Sequence, residues 1–201
     1  MTAAAVTDPD WLAAQLAATA RRYRLDRAPA VGVLWWYSAS SVLLGPAVES
    51  YVRGGPVADP ALDATTLYLR PDGRVLDARA ARATSREDVV PRLGAALTTA
   101  VGAVAAASGA RARALWAIAT DSLANRVLWA GGDEAVAAEL AAAGPMPVPR
   151  YVPVAGTRVV RRASCCLIYE APGQRKCVSC PRQHPDERHA RLVAQLGGIT
   201  R

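Results

Sequence analysis

The sequence predicts an α+β protein dominated by helices, with a β-hairpin and a small C-terminal module that carries cysteines. Three observations predict this fold class. Long alanine-rich segments carry helix start and stop signals, Pro71-Asp72-Gly73 supplies a turn between short alternating runs, and all four cysteines fall near the C-terminal end. A chain of 201 residues can bury the core of one domain, with or without a small appendage.

The first helix is predicted from Asp8-Pro9-Asp10, because acidic residues and an early proline favour a helix start. It should run to about Arg22 and bury Trp11, Leu12 and Leu16 on one face. Residues 30–48 contain no charge, so a membrane span must be considered. Serines, glycines and a proline dilute this run, and its aromatic residues lie mid-segment, so we interpret it as a buried helix.

The middle of the chain combines a hairpin with further helices. Residues 67–76 predict the hairpin. The run from Ser85 to Asp88 resembles a capping box that opens a long helix ending near Gly109. A stronger helix follows from Arg111 to Ala130, ended by two glycines. It carries one apolar stripe at helical spacing, formed by Trp116, Thr120, Leu123 and Val127.

A short helix is predicted from Asp133 to Ala143, and the proline-rich residues 144–149 then form a linker. We place the domain boundary there, which gives a helical domain over 1–149 and a cysteine module over 150–201. Within the module we expect residues 157–169 to be extended, and a last helix to begin at Pro185.

The net charge of +7 lies entirely in the module. Residues 1–149 hold 14 basic and 14 acidic side chains, whereas residues 150–201 hold 10 basic and 3 acidic ones. A nucleic-acid-binding segment could show this bias. An anionic metal cluster explains it better, since arginines alternate with the cysteines and aromatic stacking residues are sparse.

Cys165, Cys166, Cys177 and Cys180 are the only cysteines, and they suggest a single four-thiolate site. Disulfides would suit a secreted protein. The first ten residues carry acid early and no basic run, so we expect no secretory signal and a reducing compartment. A structural zinc ion usually takes two C-x2-4-C knuckles, and the adjacent pair does not form one. A [2Fe-2S] cluster is therefore the leading interpretation, with zinc and redox-active thiols as alternatives.

The pattern C-C-x10-C-x2-C, followed by Pro181 and preceded by paired arginines, resembles the ferric-siderophore reductases of the FhuF-like type. The close similarity covers roughly residues 158 to 184, and residues 115–125 are loosely similar. The resemblance implies one-electron reduction of Fe(III) in an imported siderophore, in the cytoplasm, with the four cysteines as cluster ligands.

The sequence contains no G-x-G-x-x-G and no G-x-x-x-x-G-K-[ST] motif, so we expect a separate protein, a ferredoxin or a flavoprotein, as electron donor. We expect no nucleic-acid partner and no membrane span, while peripheral membrane contact stays open. His184 and His189 are interpreted as surface residues, and the tryptophans as core rather than as a ligand groove. The alternative functions are a [2Fe-2S] electron carrier or redox sensor, and a zinc-bearing nucleic-acid-binding protein.

Overall fold

The computed structural model describes residues 1–199, which form α-helices and three two-stranded antiparallel sheets. The helices are α1 (Pro9–Tyr23), α2 (Ala28–Arg53), α3 (Val89–Ser108), α4 (Ala112–Trp129), α5 (Glu134–Ala141) and α6 (Pro185–Ile199). The strands are β1 (Val57–Ala58), β2 (Thr65–Leu69), β3 (Val75–Ala80), β4 (Ala83–Thr84), β5 (Tyr151–Val154) and β6 (Thr157–Val160). They pair as β1–β4, β2–β3 and β5–β6. The predicted α+β fold class is confirmed.

Helices α2 and α4 pack against each other at the centre of the molecule. The Trp36 indole N–H donates to the Leu115 carbonyl over 2.9 Å, and the Ser40 and Ser122 hydroxyls are 2.8 Å apart, all of them buried. Because these buried polar groups find their partners across the interface, the hydrogen bonds fix the register of the two helices in addition to the apolar contact.

Helix α2 contains the charge-free run, and its apolar side chains contact other parts of the protein. It packs against α1, α3, α4 and β3, and 67% of its most apolar window is buried. By length and composition alone, both α2 and α3 could cross a membrane. The core helix of a globular domain can be equally long and apolar, and α2 is such a helix, because most of its apolar side chains are buried in the core.

Several sequence predictions are confirmed. The Asp8 side chain caps α1 by accepting from the N–H groups of Asp10 and Trp11. The β2–β3 hairpin turns where expected, with Gly73 at a φ of 81°. Helix α3 ends at Gly109, which adopts a left-handed φ of 68° and donates its N–H to the Ala105 carbonyl.

Two helix predictions need correction. Helix α3 begins at Val89, and Ser85 accepts the Asp88 N–H in a turn that precedes it. Pro91 explains the later start, since its missing N–H is tolerated only in the first turn. Helix α4 has no single buried stripe: every residue from Leu115 to Ala124 is buried, because α4 contacts neighbours on several sides.

The predicted extended segment over 157–169 is also wrong beyond β6. The strand ends at Val160, after pairing with β5, a strand that the sequence analysis missed. Residues 161–167 are irregular, and a 3-10 turn follows at Ile168–Glu170. The chain bends here because the amide groups of Ala163 and Ser164 bond to a side chain of α4 rather than to a neighbouring strand.

The segment that follows the proline-rich linker packs onto α4 and its C-terminal end. The Tyr151 hydroxyl donates to the Ala124 carbonyl over 3.0 Å, and the Arg158 guanidinium donates to the Gly132 carbonyl over 2.7 Å. The division at residue 149 stays a prediction.

A buried carboxylate links the β1–β4 sheet to α3. Asp59 is 2% exposed, accepts the Ala61 N–H over 3.0 Å, and lies 2.8 and 3.1 Å from the guanidinium groups of Arg82 and Arg92. Burial alone would raise the pKa of Asp59, but the Ala61 amide and the two arginines outweigh it and lower the pKa below its usual value.

We predict that Asp59→Asn lowers the free energy of unfolding at pH 7 by about 1–2 kcal/mol, since both arginines are half exposed and screening weakens their pairing. A carboxyl whose pKa is lower in the folded state stabilises the protein above its unfolded pKa, and this stabilisation is lost as pH falls through the folded pKa. Urea unfolding should therefore show the difference from wild type narrowing below about pH 4.

Asp63→Asn is the matched control, because Asp63 contacts the same Arg82 but is exposed to solvent. Asp63→Asn should change the free energy of unfolding little, both at pH 7 and below about pH 4. A difference between Asp59→Asn and wild type that stays constant down to pH 2 would contradict the role given to the Asp59 charge.

Candidate metal centre

The loop between β6 and α6 brings all four cysteine sulfurs together. Cys165 Sγ lies 3.5 Å from Cys180 Sγ. Cys166 Sγ is within hydrogen-bonding reach of the Cys165 and Cys177 thiols. The sulfurs thus form a continuous series of contacts from Cys180 through Cys165 and Cys166 to Cys177.

Two of the sulfur–sulfur contacts together place each cysteine in one pair. Within residues 1–199, no group of three or more His, Cys, Asp or Glu side chains is placed so that it could hold a metal ion. The 3.5 Å between Cys165 and Cys180 is close to the ~3.8 Å expected for two thiolates on one tetrahedral metal atom with ~2.3 Å bonds. Cys166 and Cys177 form a second contact. Two pairs of sulfurs suit a cluster with two metal atoms.

The adjacent cysteines lie in a tight bend. Leu167 adopts a left-handed φ of 62°, so the chain reverses immediately after Cys166. The bend directs the backbone N–H of Leu167 to Cys165 and that of Ile168 to Cys166. Both amides stabilise the thiolate form of the cysteine that they contact, and the thiolate is the form that binds metal.

Cys177 and Cys180 lie in a turn that is stabilised by a side chain from outside the turn. The Cys180 N–H donates to the Cys177 carbonyl over 3.0 Å, which closes the turn. The buried Gln183 amide donates to the carbonyls of Cys177 and Val178 over 2.7 and 3.1 Å. Arg191 of α6 in turn donates to Gln183 over 2.7 Å. Helix α6 therefore supports this turn through Gln183, a residue the sequence analysis did not single out.

Asp121, in the middle of α4, fixes the start of the cysteine loop. It is 2% exposed, and its carboxylate accepts from Ala163 N over 2.7 Å, Ser164 N over 3.2 Å, Ser164 Oγ over 2.9 Å and Arg162 Nε over 3.3 Å. Burial raises the pKa of Asp121, and its hydrogen bonds to Ala163, Arg162 and Ser164 oppose that rise. Sequence reasoning included Asp121 in a loosely similar segment but gave it no role.

Arg162 connects this carboxylate to the cysteines. It is 8% exposed, its Nη1 lies 3.5 Å from Cys177 Sγ, and its guanidinium lies 4.8 Å from the centre of the Tyr37 ring. Burial alone would lower the pKa of Arg162, but the acidic groups Tyr37, Asp121, Cys166 and Cys177 around it raise the pKa instead. The guanidinium therefore stays charged beside the sulfurs.

One donor of Arg162 shows that the residues present fit an anionic group. The Nη2 atom is buried and has no hydrogen-bond partner in the part of the chain that the structure describes. A buried N–H without a partner destabilises the fold unless an acceptor meets it. A four-thiolate [2Fe-2S] cluster is an anion, and its sulfurs accept hydrogen bonds that tune its potential.

The thiol contacts shift the pKa of Cys166 in the opposite direction from those of Cys165 and Cys177. Hydrogen bonds from the Cys165 and Cys177 thiols lower the pKa of Cys166, and the nearby Arg162 acts in the same direction. The bond to Cys166, together with burial, raises the pKa of Cys165 and of Cys177. These contacts therefore favour the thiolate form of Cys166, the form that binds metal.

The other basic residues near the cysteines are placed differently from Arg162. Arg161 and Arg175 are exposed, Lys176 donates to the Arg182 carbonyl, and Arg182 donates to the Tyr169 hydroxyl. Only Arg162, among the basic residues of the described chain, is recorded in a hydrogen bond to a cysteine sulfur.

The histidine and tryptophan predictions are largely confirmed. His184 and His189 are exposed, and His184 lies beside Asp186. Trp35, Trp36 and Trp116 are buried in the core. Trp129 is 66% exposed and contacts Arg126, so it is not a core residue.

Residues 162–182 match the family model of the FhuF 2Fe-2S C-terminal domain, a segment that contains all four cysteines and Arg162. No curated protein matches the chain. Together with the four clustered cysteines, this match supports a [2Fe-2S] cluster as the cofactor. The cysteine loop of this chain, over residues 162–182, is thus similar to the FhuF 2Fe-2S C-terminal domain.

Proposed function

We propose that Cys165, Cys166, Cys177 and Cys180 hold a [2Fe-2S] cluster and that the protein is a ferric-siderophore reductase. The observation that carries the proposal is the match of residues 162–182 to the FhuF-type 2Fe-2S domain, in a loop where the four sulfurs lie in contact. When bound, the cluster supplies a centre that takes up and gives back one electron at a time.

The reaction is a one-electron reduction. An electron from a reduced ferredoxin or flavoprotein converts Fe(III) in the siderophore to Fe(II), and the oxidised donor leaves. Hydroxamate and catecholate oxygens are hard donors that suit Fe(III) better than Fe(II), so reduction weakens the complex and frees the metal. No proton transfer by a side chain is required, which agrees with the lack of paired catalytic carboxylates in the sequence.

The chain's own residues position and tune the site. Asp121 orients residues 162–164, Gln183 supports the turn of Cys177 and Cys180, and the Arg162 charge favours the more negative, reduced state of an anionic cluster. We further propose a cytoplasmic location, because reduction releases iron only after the siderophore has been imported and because free thiols persist in a reducing compartment.

We predict that replacing any one of the four cysteines by alanine abolishes stable cluster incorporation, since the chain has no fifth cysteine to substitute. Iron and acid-labile sulfide should be measured in protein purified without oxygen. A single variant that retains full iron and sulfide content would remove that cysteine from the ligand set.

We predict that Arg162→Gln lowers the reduction potential of the bound cluster. The guanidinium is buried and lies 3.5 Å from a sulfur, so its loss should shift a one-electron couple by tens of millivolts, up to about 100 mV. Voltammetry of the purified holoprotein measures the shift. Arg162→Lys retains the charge, so its reduction potential should lie close to that of the wild type.

Arg161→Gln is the matched control for this prediction. The neighbouring arginine has the same charge but is exposed, so solvent and salt should limit its effect to about 20 mV or less. Equal shifts from the two glutamine variants, with intact visible spectra, would show that the buried contact with Cys177 has no special influence.

Turnover tests the activity itself. With an excess of chemically reduced ferredoxin or flavodoxin, the holoprotein should release many equivalents of Fe(II) from a ferric siderophore, detected by a ferrous chelator such as ferrozine. A non-enzymatic electron carrier or sensor would be reduced once and release no iron. Protein that binds zinc in place of iron, and shows no visible absorption, would support the nucleic-acid-binding alternative.

A further inference from the structure

A groove of about 440 Å³ runs beside the cysteine loop, between the loop and the N-terminal end of α4. Its walls include Arg111, Arg113 and Arg182, the apolar side chains Val33 and Leu167, and Cys165, one of the proposed cluster ligands. We call it the arginine groove. None of the described acidic residues lines it.

The placement of Arg111 and Arg113 is not explained by the stability of α4. Arg111 is the N-cap residue and Arg113 lies in the first turn, where the helix dipole disfavours positive charge. Both side chains are exposed, and neither forms an ion pair with a carboxylate in the described part of the chain. Their charges are therefore free to meet a ligand.

Arg182 adds a third positive charge from the opposite wall. It donates to the Tyr169 hydroxyl over 2.8 Å and stacks near the same ring, so a neutral phenol holds it in place without cancelling its charge. The groove thus combines three guanidinium groups, which form no ion pair among the described residues, with the apolar side chains of Val33 and Leu167, and a ligand seated in it lies against Cys165.

We propose that the arginine groove binds the ferric substrate and selects chelates that carry net negative charge. This inference rests on the proposed reductase function. Three catecholate dianions leave Fe(III) with a net negative charge and citrate-type carboxylates do the same, whereas three hydroxamates give a neutral complex. Guanidinium forks bind carboxylate and catecholate oxygens through charge-assisted hydrogen bonds, and the apolar lining residues suit the carbon framework of the chelator.

The test separates binding from turnover by using gallium(III), which resembles Fe(III) in charge and size but is not reduced. Isothermal titration of the holoprotein compares gallium complexes of a tris-catecholate, a citrate-type carboxylate and a neutral tris-hydroxamate. The wild type should bind at least one anionic complex about tenfold more tightly than the neutral one. The Arg111→Gln/Arg113→Gln variant should lose roughly that factor for the anionic complexes only.

Arg70→Gln is the control, because Arg70 is exposed, forms no ion pair in the described residues and does not line the groove. It should leave all three affinities unchanged, and both variants should retain the wild-type visible spectrum and melting temperature. Whichever anionic complex binds more tightly identifies catecholate or carboxylate as the favoured donor class.

Three results would overturn the inference. Equal affinity of the wild type for neutral and anionic complexes would show no charge selection. Equal loss for both kinds of complex in the double variant would show a packing effect. Unchanged binding combined with slower reduction by the donor protein would assign the groove to that protein.

Tight, arginine-dependent binding without any release of Fe(II) would support the groove while refuting the reductase function.

Discussion

The four hydrogen bonds to the buried Asp121 carboxylate are the constraint on which the cysteine loop depends. The carboxylate lies in the most buried stretch of α4 and collects donors from three consecutive residues that immediately precede Cys165. A buried carboxylate is tolerated only when it is paired and fully hydrogen-bonded. The loop supplies the hydrogen bonds that the buried carboxylate needs. The carboxylate in turn fixes the position of residues 162–164, and so the point at which the cysteines begin.

The same pairing links the core to the chemistry of the site. Arg162 neutralises Asp121 on one side and contacts Cys177 on the other, and it packs over Tyr37 of α2. Helices α2 and α4 are themselves joined by the buried Trp36 and Ser40 contacts, so the cysteine loop is anchored to the buried core of the fold.

The proposed substrate groove follows from that position. Because the loop rests on α4, its Cys165 side faces the N-terminal end of the same helix, where the exposed Arg111 and Arg113 form no ion pair with any described residue. The buried arginine and the exposed arginines therefore serve different purposes. Arg162 is desolvated and acts on the sulfurs, whereas the groove arginines keep their hydration and are available to an anion from solution.

The sequence by itself determined the cysteine spacing, the charge bias of residues 150–201, and the caps and turns at Asp8, Gly73 and Gly109, because these depend on local chemistry that a short window contains. Only the tertiary structure decided which charged side chains face the sulfurs. Arg161 and Arg162 are indistinguishable neighbours in the sequence, yet one is exposed and the other buried. Asp121 and Gln183 carried no signal of their own, because their roles arise from contacts with residues distant in sequence or from a turn that forms only when the loop is folded. The end of the predicted extended segment was missed for the same reason, since Ala163 bonds to a carboxylate 42 residues earlier in the chain.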